Sequence, residues 1–265
     1  MGEAYVITSG KGGVGKTTTS ANIGAALALQ GKKVCMLDTD IGLRNLDVVM
    51  GLENRIIYDL VDVAEGRCRV QQALIKDKRF DCLHLIPAAQ TKDKSAVSPE
   101  QMKEIIDSLR EDYDFILIDC PAGIEQGYKN AVAGADHAIV VTTPDTAAVR
   151  DADRIVGLLE QEGITPPRLV INRVRQHLSD SGEMLDVDDV TSTLAIDLLG
   201  VIVDEDDVLK AAHKGEPIAM NPNSRASIGY RNIARRMMGE SVPLMSLEEK
   251  KGFFSKMKKL FGMKA

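Results

Sequence analysis

The stretch Ser9 to Thr18, reading Ser-Gly-Lys-Gly-Gly-Val-Gly-Lys-Thr-Thr, constrains the fold more than any other part of this chain. It follows the apolar run 5–8 and opens into helical spacing over 17–30, so it reads as strand, glycine-rich turn, helix. Within it, Gly10 to Thr17 spell GxxxxGK[ST]. Glycines let the backbone N–H groups of Gly10, Lys11, Gly12, Gly13, Val14, Gly15, Lys16, Thr17 and Thr18 converge on phosphate oxygens, and the helix adds its positive N-terminal dipole. Lys16 then meets the β- and γ-phosphates as a point charge, and the Thr17 hydroxyl ligates Mg²⁺. A glycine-rich turn without a ligand is the competing reading, disfavoured by the strand before it and the helix after it. Lys11 is superfluous for cradling one triphosphate; it is either a solvated loop charge or a cation that reaches a neighbour's nucleotide.

The rest of the chain supports a strand–helix alternation. Apolar runs at 34–37, 84–87, 115–118, 138–142, 168–171 and 200–203 suit strands buried on both faces. Helical spacing recurs over 99–110, 147–162, 186–194 and 226–238. The expected fold is α/β: a mainly parallel sheet flanked by helices on both faces, with ligands gathered at the carboxyl ends of the strands. Residues 1–239 form the expected nucleotide-binding domain, 240–249 a linker, and 250–265 an appendage; 173–185 reads as an exposed loop.

Acidic residues stand where such a sheet would place its chemistry. Asp38 and Asp40 follow the second run, and Asp119 ends the run 115–118 in the pattern whose carboxylate holds Mg²⁺. An isolated Asp at a strand end is usually a turn or cap residue. Three converging on one phosphate loop point instead to Asp119 and Asp38 around the metal, with Asp40 orienting the attacking water. A carboxylate with an ordinary pKa near 4 is a poor proton acceptor, so positioning is the expected role.

Composition narrows the alternatives. Trp is absent and aromatics are 4% of residues, which argues against a surface of stacked bases. Cys35, Cys68, Cys82 and Cys120 lack CxxC spacing and read as reduced thiols. No apolar stretch is long enough to span a bilayer and no secretory signal pattern opens the chain, so a cytoplasmic protein is expected.

The end of the chain is different in kind. Residues 250–265 carry six lysines and no acid, which against a total of −6 leaves −12 on residues 1–249. On a helix, Phe253, Phe254, Met257, Leu260 and Phe261 make one apolar stripe, with Lys250, Lys251, Lys256, Lys258 and Lys259 beside it or opposite. A disordered solubilising end does not need three of the chain's five phenylalanines, and a helix docked on the body does not need the lysines. Lying in the plane of an anionic membrane uses both. Each lysine near such a surface contributes roughly 1 kcal/mol, so one copy binds weakly and two joined copies gain avidity.

Taken together, SGKGGVGKTT, LDTDIGLRNLDVVMGLENRIIYDLVDV, DCPAGIEQG, VRDADRI and EEKKGFFSKMKKLFG resemble the MinD family of deviant Walker A ATPases, from Tyr5 to Gly262. The resemblance implies ATP and Mg²⁺, an ATP-driven homodimer in which Lys11 contacts phosphate across the interface, and septum-site positioning at the membrane. Implied partners are the septum inhibitor MinC, the regulator MinE or a functional replacement, and anionic lipids, with no specific nucleic acid. It also implies adenine contacts from Asn172, Arg173 and the loop after Val203, where relatives commonly carry Pro and this chain has Val203-Asp204-Glu205. Arg44, Asn45, Asp151 and Asp153 become candidates for nucleotide-sensitive contacts. Rival readings are a flagellar-number regulator, a ParA-type DNA-partitioning ATPase, which the acidic body disfavours, and an iron–sulfur relative, for which Cys120 is weak support.

Overall fold

In the computed structural model, which describes residues 1–247, eight strands form one sheet in the order β3-β4-β2-β5-β1-β6-β7-β8. The strands are β1 (Glu3–Thr8), β2 (Val34–Asp38), β3 (Ile75–Lys76), β4 (Leu83–Ile86), β5 (Phe115–Asp119), β6 (His137–Thr142), β7 (Arg168–Val174) and β8 (Asp197–Val203). All neighbours pair parallel except the two-residue β3, which runs antiparallel to β4. The helices are α1 (Lys16–Leu29), α2 (Leu46–Met50), α3 (Leu60–Ala64), α4 (Val70–Ala73), α5 (Pro99–Leu109), α6 (Gln126–Val132), α7 (Thr146–Gln161), α8 (Gln176–Asp180), α9 (Val187–Leu194), α10 (Asp206–His213) and α11 (Arg225–Met237).

Both sheet faces are covered, which is why the strands read as unbroken apolar runs. Ala4, Val6, Ile116 and Ile118 face a layer built from α3 to α7 and α9, while Tyr5, Ile7, Leu117 and Met36 face α1, α2 and α11. The central helix α1 is buried nearly all round, because α2 and α11 cover the side turned from the sheet. Three of the longer helices start where the sequence supplies a cap: Ser98 with Gln101 for α5, Asp145 for α7, Ser224 for α11.

One expectation is corrected. Residues 173–185 are not simply a loop, since β7 continues to Val174 and α8 follows at once. Segment 240–247 forms no helix or strand, but it is held: Arg236 donates to the carbonyls of Val242 (2.9 Å) and Pro243 (2.7 Å), and Arg225 to those of Ser246 (3.0 Å) and Leu247 (2.9 Å). These guanidinium contacts fix it along α11. The tail 250–265 lies outside the described residues. Within them, no helix is long and apolar enough to cross a membrane, and Cys35, Cys68, Cys82 and Cys120 are unpaired thiols.

Candidate functional site

Strand order puts β1 in the middle of the sheet, between β5 and β6, so the loop 9–15 rises at the centre of the carboxyl edge. Its shape depends on glycine at particular points. Gly15 has φ +95°, and a Cβ there would stand 2.3 Å from Asn172 Nδ2; a Cβ on Gly10 would stand 2.1 Å from the Asp151 carbonyl oxygen. The loop is thus pressed between β7 and α7, while at Gly13, φ +81°, a Cβ would meet nothing within 4 Å, leaving that side open for a ligand. Gly15 is the N-cap of α1 and supplies no capping side chain. The helix therefore presents uncapped N–H groups at its first turn, the arrangement that binds phosphate.

The two loop lysines part company. Lys16 is buried at the start of α1, whereas Lys11 is about half exposed, its Nζ 3.7 Å from Asp145 Oδ1 at the cap of α7. Thr17 and Thr18 follow Lys16 on the first turn, both half-buried.

Asp38 and Asp119 are register partners on β2 and β5, so their carboxylates share the edge beside Lys16 and Thr17. Both are buried. Burial raises the pKa of each; at Asp119 the Asp38 charge adds to it, opposed by hydroxyl donors from Ser20 (Oγ–Oδ1 2.8 Å) and Thr17 and by Lys16. At Asp38 the opposing donors are backbone N–H groups of Asp40 (2.9 Å), Asn45 (3.0 Å) and Leu46 (3.1 Å). Asp38 accordingly fastens the segment after β2 to the carboxyl end of that strand, beside Asp119. Asp40 sits half-buried in that segment, its carbonyl accepting the N–H groups of Leu43 and Arg44. Arg44, at φ +47°, turns back to Asp47 (Nε–Oδ2 3.1 Å).

A buried pair of carboxylates in register is unfavourable by itself and suits a divalent cation. Among the described residues no group of three or more His, Cys, Asp or Glu side chains forms a cage for a metal. Mg²⁺ needs no such cage, being held by one or two carboxylates together with phosphate oxygens.

The far side of the edge is built on β7 and β8. Asn172 Nδ2 donates to the Val14 carbonyl (2.8 Å), joining β7 to the phosphate loop. At Arg173, φ +57°, the β7–β8 register shifts between Ile171 and Val174, and this irregularity turns the exposed Arg173 out at the strand's end. In the loop after Val203, Asp204 pairs with Arg175 (2.5 Å), while Glu205 accepts the Ser224 hydroxyl (2.6 Å) and the Arg225 amide (3.0 Å) at the start of α11. Asp204 and Glu205 thus anchor the loop that follows Val203. Asp151 is half-buried behind Gly10 and Asp153 is exposed on α7.

Sequence reasoning missed Ser20, Asp145 and Arg175. Ser20 was recoverable, lying one helical turn after Thr17 on the same face. Asp145 and Arg175 carried no signal, because their partners are remote in sequence or ordinary surface charges.

Residues 2–162 match the family model described as an AAA domain. The chain is 68% identical to the septum site-determining protein MinD of Bacillus subtilis (strain 168), with 100% of both chains covered. It resembles the MinC:MinD cell division protein complex of Aquifex aeolicus (TM-score 0.87, 45% identity, 92% of this chain and 99% of that one). It also resembles MinD complexed with Mg-ADP from Pyrococcus horikoshii OT3 (TM-score 0.82, 29% identity, 89% and 96%). With a phosphate loop, an aspartate pair and a sheet order that coincide with full-length likeness, the chain belongs to the MinD family of septum site-determining proteins, on the deviant Walker A P-loop fold.

Proposed function

We propose that this chain is an ATPase working as a membrane switch. ATP pairs two copies, the pair holds an anionic membrane through residues 250–265 and recruits the septum inhibitor MinC there, and hydrolysis to ADP and phosphate releases both. The division site then follows from where the paired form sits. The protein cycles between the cytoplasm and the inner face of the membrane.

The observation that carries this reading is the contrast between Lys16, buried at its own helix, and Lys11, about half exposed and paired with Asp145 at 3.7 Å. An exposed ion pair contributes at most about 1 kcal/mol, so Lys11 exchanges that partner readily for a phosphate on a second copy. Within one copy, Lys16 and the N–H groups of 10–18 bind the β- and γ-phosphates. Thr17 and Asp119 are the residues that would hold Mg²⁺, with Asp38 beside them. Bound Mg²⁺ supplies charge neutralisation on the phosphate oxygens. Asp40, tethered through its amide to Asp38, orients the attacking water; phosphoryl transfer asks mainly for position and charge. Asn172 and Arg173 lie toward the base. Arg44, Asn45, Asp151 and Asp153 stand on segments that touch Asp38 or the loop, suitable for partners that read nucleotide state, MinC and MinE or its replacement among them. Relatives whose solved forms are a MinC:MinD complex and a Mg-ADP complex support the same reading.

The test is co-sedimentation with anionic vesicles in ATP and in ADP, comparing the full chain, Lys11→Ala and a chain ending at Glu249. ATP-specific sedimentation of the full chain alone is expected. Equal binding in both nucleotides would leave the tail a constitutive anchor, and ATP-specific binding by Lys11→Ala would remove the role given to that lysine.

A further inference from the structure

Helix α11 begins at the carboxyl edge of the sheet, where Glu205 caps it, and ends near the opposite edge, where Arg236 Nη1 donates to the Leu199 carbonyl at 2.8 Å. Past Gly239 the chain turns back. Arg236 and Arg225, roughly three helical turns apart on α11, hold the carbonyls of Val242 and Pro243 and then those of Ser246 and Leu247. The segment is therefore a strap that carries the chain from one edge of the sheet back to the edge that holds the phosphate loop.

The strap ends in a cavity. Between the ends of β7 and β8 lies a space of about 630 Å³ lined by Val174, Arg175, Val203, Asp204, Arg225 and Leu247. Leu247 packs on side chains of both helical layers, and it also borders a second cavity of about 240 Å³ shared with Ser179 and Val187. Val174 in its lining lies two residues after Asn172, whose Nδ2 donates to the Val14 carbonyl of the phosphate loop at 2.8 Å. The lining is mostly polar, with Val174, Val203 and Leu247 its apolar members, and a base extending past Asn172 from phosphates on the loop would meet them.

We infer that Leu247 is a base-packing residue of the nucleotide site, its side chain forming one apolar wall against a purine and its backbone carried there by Arg225. This rests on the reading above that the edge binds ATP. It also means that the base and the chain leading into residues 248–265 meet at one side chain, so base occupancy is felt at the root of the tail within a single copy.

Titration calorimetry of the full chain with ATP, ADP and inorganic tripolyphosphate, each with Mg²⁺, tests it on the parent, Leu247→Ser, Leu247→Met and Leu244→Ser. Leu244 lies on the same strap and is about half exposed, outside the cavity lining. Losing the apolar wall should weaken ATP and ADP about tenfold in Leu247→Ser. Tripolyphosphate affinity should stay unchanged, and Leu247→Met and Leu244→Ser should behave as the parent. Undiminished ATP affinity in Leu247→Ser overturns the inference, as does an equal loss for tripolyphosphate, which would place the effect in the loop or the fold. Absence of ATP binding to the parent would instead overturn the reading of the phosphate loop, and the inference with it.

Discussion

The phosphate half of the carboxyl edge and its base half are built on opposite plans. The phosphate half lies at the sheet centre, where Asp38, Asp119 and Lys16 are buried and their partners are backbone N–H groups, hydroxyls and one another. The half proposed to hold the base lies at the sheet margin, where Arg175 and Asp204 form a partly exposed pair and Leu247, from beyond α11, lines the cavity. Central placement fixes geometry before any ligand arrives, which suits groups that must stabilise charge without rearrangement. Marginal placement leaves side chains able to adjust, which suits packing on the face of a flat aromatic base.

Substitutions should separate the two halves. The largest effect is expected at Gly15→Ala, where φ +95° disfavours a Cβ and the 2.3 Å approach displaces Asn172 from the Val14 carbonyl. Backbone strain with one lost buried hydrogen bond amounts to about 2–3 kcal/mol. Denaturant melts and calorimetry should record that destabilisation with at least roughly a tenfold loss of ATP affinity; unchanged affinity would mean the phosphate half is not preformed.

Smaller, and particular to the centre, is a pH effect. Because burial raises the pKa values of Asp38 and Asp119, the stability associated with the protonated pair is complete below their ordinary value of about 4 and is lost as pH rises through the raised values. Without metal or nucleotide, the denaturation midpoint should fall between about pH 4 and about pH 7, and Asp119→Asn should flatten that fall. An identical slope in Asp119→Asn would show that the pair is not its source. The smallest effect belongs to the margin: Arg175→Ala removes a partly exposed ion pair and should change stability by less than about 1 kcal/mol. A loss comparable with that of Gly15→Ala would erase the distinction.

Legibility in the sequence follows the same division. Seven of the eight strands were readable as apolar runs because both sheet faces are covered, whereas two-residue β3 offered no periodicity at all. The short helices α2, α3, α4, α6, α8 and α10 were missed because, at four to eight residues, they span about two turns or fewer and show too few repeats of a helical pattern. Gly10 to Thr18 and the strand-end Asp38 and Asp119 were visible because phosphate binding uses consecutive backbone groups, and carboxylates at strand ends announce themselves. Nothing in Asp145, Arg175 or Leu247 marks a partner remote in the chain.

The sequence by itself determined the strand–loop–helix cradle, the alternation that makes a parallel sheet, and a basic apolar end distinct in charge from the body. These are short-range properties, carried by neighbouring residues and their spacing. Tertiary structure decided that Asp38 and Asp119 are partners across β2 and β5, that Lys11 faces Asp145 while Lys16 is buried, and that the chain after α11 returns to the nucleotide edge. The first two depend on strand order and the last on guanidinium contacts from α11, choices made only when the sheet and both its helical layers are in place.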